Sequence, residues 1–119
     1  MRRAVEAYEK ALALDARDGN AHVNLGYARF ELGAIEAAIA HYRKALELDP
    51  GNAMAHNNLG NALQAQGQAG AAEAAYRRAL QIAPQFALSH HNLGMALRAG
   101  GRPDEAVVCF RTAVRLAPS

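Results

Sequence analysis

A period of 34 residues constrains this chain more than any other feature. Sliding the sequence by that interval brings His22, His56 and His90 into register, with Leu25, Leu59 and Leu93, and with Gly26, Gly60 and Gly94. A second set follows the same interval. Ala4 becomes Ala38, Ala72 and Ala106; Tyr8 becomes Tyr42, Tyr76 and Phe110; Ala11 becomes Ala45, Ala79 and Ala113; Leu14 becomes Leu48, Ile82 and Leu116. Self-similarity at a fixed period of this length predicts a solenoid, in which each unit buries its apolar face against its neighbours.

Within a copy the apolar residues recur at helical spacing. His56, Leu59, Gly60 and Leu63 fall at i, i+3, i+4 and i+7, one stripe of a first-type helix, A, expected over 19–32, 53–66 and 87–99. Ala72, Tyr76, Ala79 and Ile82 form a stripe on a second-type helix, B, which occurs four times to the three of A. The reading is all-α: seven helices in a single domain, 1–119, with a half repeat (1–18) followed by repeats over 19–52, 53–86 and 87–119.

The punctuation between helices agrees. Gly33, Gly67 and Gly101 stand where each A helix should stop, and glycine accepts the left-handed conformation that ends helices. Pro103 fits the first turn of the last B helix, with Asp104 and Glu105 near its positive end. Pro50, Pro84 and Pro118 follow the B helices; the half repeat has Ala16 there instead. Asp18 and Asn52 are expected N-caps. Loops of two to five residues set neighbouring helices antiparallel.

Gly60 in mid-helix costs about 1 kcal/mol relative to Ala. Close approach of A to B offsets that cost. Ala72 and Ala79 are read as the small matching surface, and Tyr76 as the large residue that fills the remaining gap.

Composition excludes several functions. The chain has 119 residues, 51% of them hydrophobic, but only two serines and one threonine (Ser89, Ser119, Thr112), so no nucleophile, base and orienting group can be assembled. No catalytic residue and no cofactor is expected. His22, His56 and His90 repeat once per copy on one face, roughly 10 Å apart or more, too far to share a zinc at about 2.1 Å each, so no metal is expected. His41, Arg43, Lys44, Arg77 and Arg78 are expected on the outer surface of B helices. Net charge is +2 without a block of like charge, so nucleic acid is not an expected partner. The lone Cys109 reads as a small half-buried filler. No apolar run is long enough to span a membrane and no signal peptide opens the chain, which suggests a cytoplasmic setting.

The recurring residues resemble the tetratricopeptide repeat. Leu25, Gly26, Ala38, Tyr42, Ala45 and Pro50 carry the pattern in the first full copy. Leu59, Gly60, Ala72, Tyr76, Ala79 and Pro84 carry it in the second, and Leu93, Gly94, Ala106, Phe110, Ala113 and Pro118 in the third. Two positions depart from it: histidine replaces the usual Trp at His22, His56 and His90, and Arg29, Leu63 and Leu97 replace a later aromatic. The AHxNLG wording at 21–26 and 55–60 is similar to repeats of the O-linked N-acetylglucosamine transferase type and of bacterial proteins of this family.

The resemblance implies a superhelix whose A helices line a concave groove that binds protein or peptide. About 200° from His56 stands Asn58, and Met54 and Asn61 share that side. Their counterparts are Asn20, Asn24 and Tyr27 in the first copy and Leu88, Asn92 and Met95 in the third. Asn24, Asn58 and Asn92 form a ladder of amides, groups that donate and accept and so suit a peptide backbone. Apolar Tyr27, Met54, Leu88 and Met95 favour an extended or helical peptide with apolar anchors, and the absence of lysine from this groove set disfavours a carboxylate clamp. The expected function is a non-enzymatic protein-interaction scaffold. The alternatives are a self-associating structural module, through bare ends that include Val107, Val108 and Val114, and the targeting arm of a larger protein.

Overall fold

The structure, a computed structural model, describes the backbone of residues 2–14 and 18–116 and the side chains of 5–12 and 18–116. Among these residues it is wholly helical: α1 (Arg2–Leu14), α2 (Gly19–Glu31), α3 (Ile35–Leu48), α4 (Ala53–Ala65), α5 (Ala69–Ile82), α6 (Ala87–Ala99) and α7 (Pro103–Leu116). The expected roles of Ala16 and Pro118, and those of the Ala4 and Leu14 side chains, lie outside the described residues. Helices α2, α4 and α6 are of A type; α1, α3, α5 and α7 are of B type.

Each A helix ends as its glycine requires. Gly33, Gly67 and Gly101 have φ of +84°, +80° and +77°. At the first of them Ala34 N–H donates to Arg29 C=O at 2.8 Å and Gly33 N–H to Phe30 C=O at 3.0 Å. This paired closure satisfies carbonyls that the helix end would otherwise orphan, and it turns the chain back within three residues. Asp18 and Asn52 cap α2 and α4 through side-chain oxygens that accept from Ala21 N–H and Ala55 N–H, each at 3.0 Å. At the third copy Phe86 takes that position and offers no side-chain acceptor. Asn52→Ala should therefore lower stability by about 1 kcal/mol, read as a shift of the urea midpoint, whereas Phe86→Ala removes no cap.

The glycine of each A helix makes room for an aromatic ring. A Cβ built on Gly60 would stand 2.5 Å from Tyr76 Cε1 and 2.7 Å from its Cδ1; at Gly26 the nearest atom is Tyr42 Cε1 at 2.7 Å, and at Gly94 Phe110 Cε1 at 2.7 Å. This refines the sequence reading. Ala72 and Ala79 are fully buried, but the surface that meets the glycine is the ring itself. One continuous core runs from Val23 through Tyr42, Leu59, Leu63, Tyr76 and Leu93 to Ala106. Val5, Tyr8 and Leu12 of α1 close the other end against Leu25 and Ala28.

Stacking sets which side is concave. Every A helix packs on its B partner and on the B helix before it. In addition α2 meets α4 and α4 meets α6, while no such pairing joins α3 to α5 or α5 to α7. The A helices are therefore the crowded inner layer and the B helices the splayed outer one, in a body 46 × 27 × 26 Å. Arg43, Lys44, Arg77 and Arg78 are exposed on that outer layer. Cys109 is half-buried against the core, and burial pushes its thiol pKa up, opposite to what a reactive cysteine needs.

Candidate functional site

A depression of about 470 Å³ lies on the inner layer, where α4 and α6 run side by side. Its wall on α4 is Asn61, Gln64 and Ala65; its wall on α6 is His91, Asn92, Met95 and Ala99, and Phe30 and Tyr76 also line it. No carboxylate, lysine or arginine lines it. Its chemistry is amides over apolar surface.

Internal bonds fix which face of each amide is left. Tyr76 Oη donates to Asn61 Oδ1 at 2.6 Å. Burial pushes the Tyr76 phenol up to about 12, so it keeps its proton and remains a donor at any ordinary pH. With its oxygen so engaged, Asn61 presents its two N–H donors. Asn92 is oriented the opposite way: its Nδ2 donates to Asn57 Oδ1 at 3.1 Å, which leaves its own carbonyl as an acceptor. Gln64 Oε1 adds a second acceptor, buried and without a hydrogen-bond partner. A donor on one wall and an acceptor on the other suit a group carrying N–H and C=O together.

Three of the nine residues expected in the groove, Asn61, Asn92 and Met95, line this depression. Asn20, Asn24, Tyr27, Met54 and Leu88 are exposed outside it, and Asn58 is buried, 9% exposed. The asparagine ladder has one register but three environments. Asn92 reaches back to the preceding A helix and bonds Asn57. At Asn58 that partner position holds Val23, and its Oδ1 takes a long bond, 3.4 Å, from Asn57 Nδ2. Asn24 has no A helix before it among the described residues and stays exposed.

Sequence reasoning missed Phe30, Gln64 and Tyr76 as lining residues, and it missed Asn57 as a hub. Asn57 is fully buried, and its Oδ1 accepts from Ser89 Oγ at 2.8 Å as well as from Asn92. The available signal was Ser89, the only serine where the other copies carry Ala21 and Ala55.

His56 and His90 bond the carbonyls of Pro50 and Pro84 through Nε2, at 3.0 and 2.9 Å. A carbonyl only accepts, so both rings carry the proton on Nε2. They tie each A helix to the end of the B helix before it. His22 faces His41, Nδ1 to Nδ1, at 3.2 Å. His41 is thus half-buried in a ring pair rather than free on the outer surface. Its pKa is lowered by burial first, then by His22 and Arg29, with Glu9 opposing. A base with a lowered folded pKa is protonated more readily in the unfolded chain. Its contribution to stability is complete above its ordinary value of 6.5 and falls away as pH drops below that value. Urea unfolding at pH 7.5 and 5.5 should show lower stability at the acid value, and His41→Gln should reduce that difference.

The comparisons with known proteins agree with this architecture. One family profile, described as TPR repeat, matches residues 26–67, and another, described as tetratricopeptide repeat, matches residues 51–119. No curated protein matches the chain. Among solved structures, two of MamA superpose with TM-scores of 0.85 and 0.84, each at 30% identity, over 96% and 97% of this chain. A structure of YrrB, described as a TPR protein with an unusual peptide-binding site, superposes over 94% of this chain with a TM-score of 0.86 at 28% identity. This chain spans 67%, 63% and 58% of the length of those three chains, respectively.

Proposed function

The chain belongs to the tetratricopeptide repeat family, whose members are protein-interaction scaffolds, and we propose that it holds an extended peptide segment along the inner layer of A helices. The observation that carries this reading is the opposed orientation of Asn61 and Asn92 across one depression that no carboxylate, lysine or arginine lines. A peptide unit offers an N–H to the Asn92 carbonyl and a C=O to the Asn61 amide. Main-chain recognition of this kind is tolerant of sequence, and Met95, Ala65 and Ala99 give apolar side chains of the peptide a place to lie. Exposed Tyr27, Met54 and Leu88 extend the apolar surface along the same layer.

Ala65 is exposed on the depression wall and takes no part in the internal bonds. Ala65→Trp therefore fills the depression without disturbing the fold. A random-peptide phage library panned on the wild-type chain should yield peptides whose binding falls at least tenfold on Ala65→Trp with the helical circular dichroism unchanged. Equal binding to both proteins would refute the reading.

A second reading rests on α7, where Val107, Val108 and Val114 are 43%, 63% and 67% exposed. That apolar face favours self-association through α7. Light scattering over a concentration series separates the two, because self-association raises the apparent mass with concentration and groove binding does not.

A further inference from the structure

We propose that the peptide held along the inner layer carries a cationic and an acidic side chain about five or six residues apart, the cation meeting Glu31 on α2 and the carboxylate meeting Arg98 on α6. The proposal rests on the peptide-groove reading and adds to it the charge pattern of the ligand.

The inner layer carries few charges. Each B helix has three to five Asp, Glu, Lys or Arg residues. Of the A helices, α4 has none, α2 has Arg29 and Glu31, and α6 has Arg98. Arg29 is paired with Glu9 of α1 at 2.8 Å. Among the described residues neither Glu31 nor Arg98 has an oppositely charged partner, and both are exposed. The layer thus offers one uncompensated charge of each sign, on its first and last A helices.

The repeat register puts both on the face that holds the depression. Shifted by one and two periods, Glu31 becomes Ala65 and Ala99, which line the depression; Arg98 shifted back becomes Gln64 and Phe30, which line it too. Both charges stand in the last turn of their helices, so they share one rim. Successive A helices pack on one another, α2 on α4 and α4 on α6, at roughly 8–10 Å per step. Two steps make roughly 16–20 Å, which an extended chain at about 3.3 Å per residue covers in about five or six residues.

Each charge is set for a partner. Arg98 Nη2 donates to Met95 Sδ at 3.2 Å, and the guanidinium carbon lies 5.6 Å from the Phe110 ring centroid. These contacts hold the arm and leave its charge unneutralised. Glu31 is not explained by its own helix, because a carboxylate in the last turn opposes the negative end of the helix dipole. One turn before it stands Tyr27, 51% exposed, so a peptide cation meets a carboxylate and an aromatic ring together. The pKa of the Tyr42 phenol is raised by burial first, then by Tyr27 and Glu31, which places the Glu31 charge within reach of the inner layer.

The test pans a random-peptide phage library on the wild-type chain at low ionic strength, where exposed charge pairs are least screened. The selected peptides should carry Lys or Arg and Asp or Glu at the stated spacing. Their binding should weaken about two- to fivefold in Glu31→Gln and in Arg98→Gln, and stay unchanged in Arg43→Gln on the outer layer. Double-mutant cycles assign the pairs. Changing the peptide's cation to Gln should abolish the effect of Glu31→Gln and spare that of Arg98→Gln, and changing its carboxylate should do the reverse. Glu31 and Arg98 are exposed, so helical circular dichroism should not change in either variant. Peptides lost in Ala65→Trp but held equally by the wild type, Glu31→Gln and Arg98→Gln overturn the charge pattern and leave the groove standing. A selection without binders, or binders that Ala65→Trp holds as tightly as the wild type does, overturns both.

Discussion

Gly60→Leu should unfold the middle repeat at temperatures where the parent chain is stable, and even Gly60→Ala should lose stability despite alanine's better helix propensity. The two effects oppose each other. Alanine gains about 1 kcal/mol over glycine in a helix interior. Its methyl, however, would sit 2.5 Å from Tyr76 Cε1, 2.7 Å from Cδ1 and 2.9 Å from Cζ. Real Cβ atoms do not approach that closely, so the ring must move. Tyr76 has little freedom to do so. It is 2% exposed, and its hydroxyl is tied to Asn61. Overpacking of this kind costs about 1–3 kcal/mol or more, which outweighs the propensity gain for alanine and far outweighs it for leucine. Chemical denaturation reads the loss directly. The decisive control is a double variant. Tyr76→Leu removes the ring edge, so Gly60→Ala should cost less in that background than in the parent. Equal cost in both backgrounds would mean that the glycine serves something other than the ring.

Asn57→Val should be nearly as damaging, by a different mechanism. Asn57 Oδ1 receives Ser89 Oγ at 2.8 Å and Asn92 Nδ2 at 3.1 Å at the contact of α4 with α6. Ser89 is fully buried. Removing their shared acceptor strands the buried Ser89 hydroxyl, at about 1–3 kcal/mol, and releases the half-buried Asn92 amide. The first interface of the same stack suggests the remedy. Where α2 meets α4, the corresponding positions are Val23 and Ala55, both buried and apolar. Adding Ser89→Ala to Asn57→Val copies that pair, and it should recover a large part of the loss because no buried hydroxyl is left unpaired. Denaturant unfolding of the two single variants and the double gives the coupling. Additive losses would show that Ser89 does not depend on Asn57.

These two sites mark the boundary of what the sequence discloses. Gly60 and Tyr76 were legible because their period repeats, and a repeated glycine inside a helical pattern implies a close approach. The helix ends were legible for the same kind of reason: Gly33, Gly67 and Gly101 adopt the positive φ that their place in the period requires. Asn57 was not legible, because it interrupts the period. Its equivalents are Val23 and His91, and only the packing of α4 on α6 tells which neighbour an unrepeated amide will meet. The asparagine ladder shows the converse limit. One letter recurs at Asn24, Asn58 and Asn92, but each meets a different preceding helix, so its exposure ranges from open to buried. Gln64 fell between the two cases. It shares a register with Phe30 and Arg98, which gave no common chemistry to read. The His22–His41 pair likewise joins a repeated residue to an unrepeated one, across two helices.

The central claim is that the depression between α4 and α6 receives a peptide backbone through amides of fixed orientation. The measurement that tests it most directly is two-dimensional nuclear magnetic resonance of the side-chain amides of Asn61, Gln64 and Asn92 during titration with a peptide selected by the wild-type chain. The account predicts saturable shifts of all three, with the same midpoint as the backbone amides of Ala65 and Met95, and their loss in Ala65→Trp. Shifts confined to α7 or to the outer B helices, with the three side-chain amides unmoved at saturation, would contradict it.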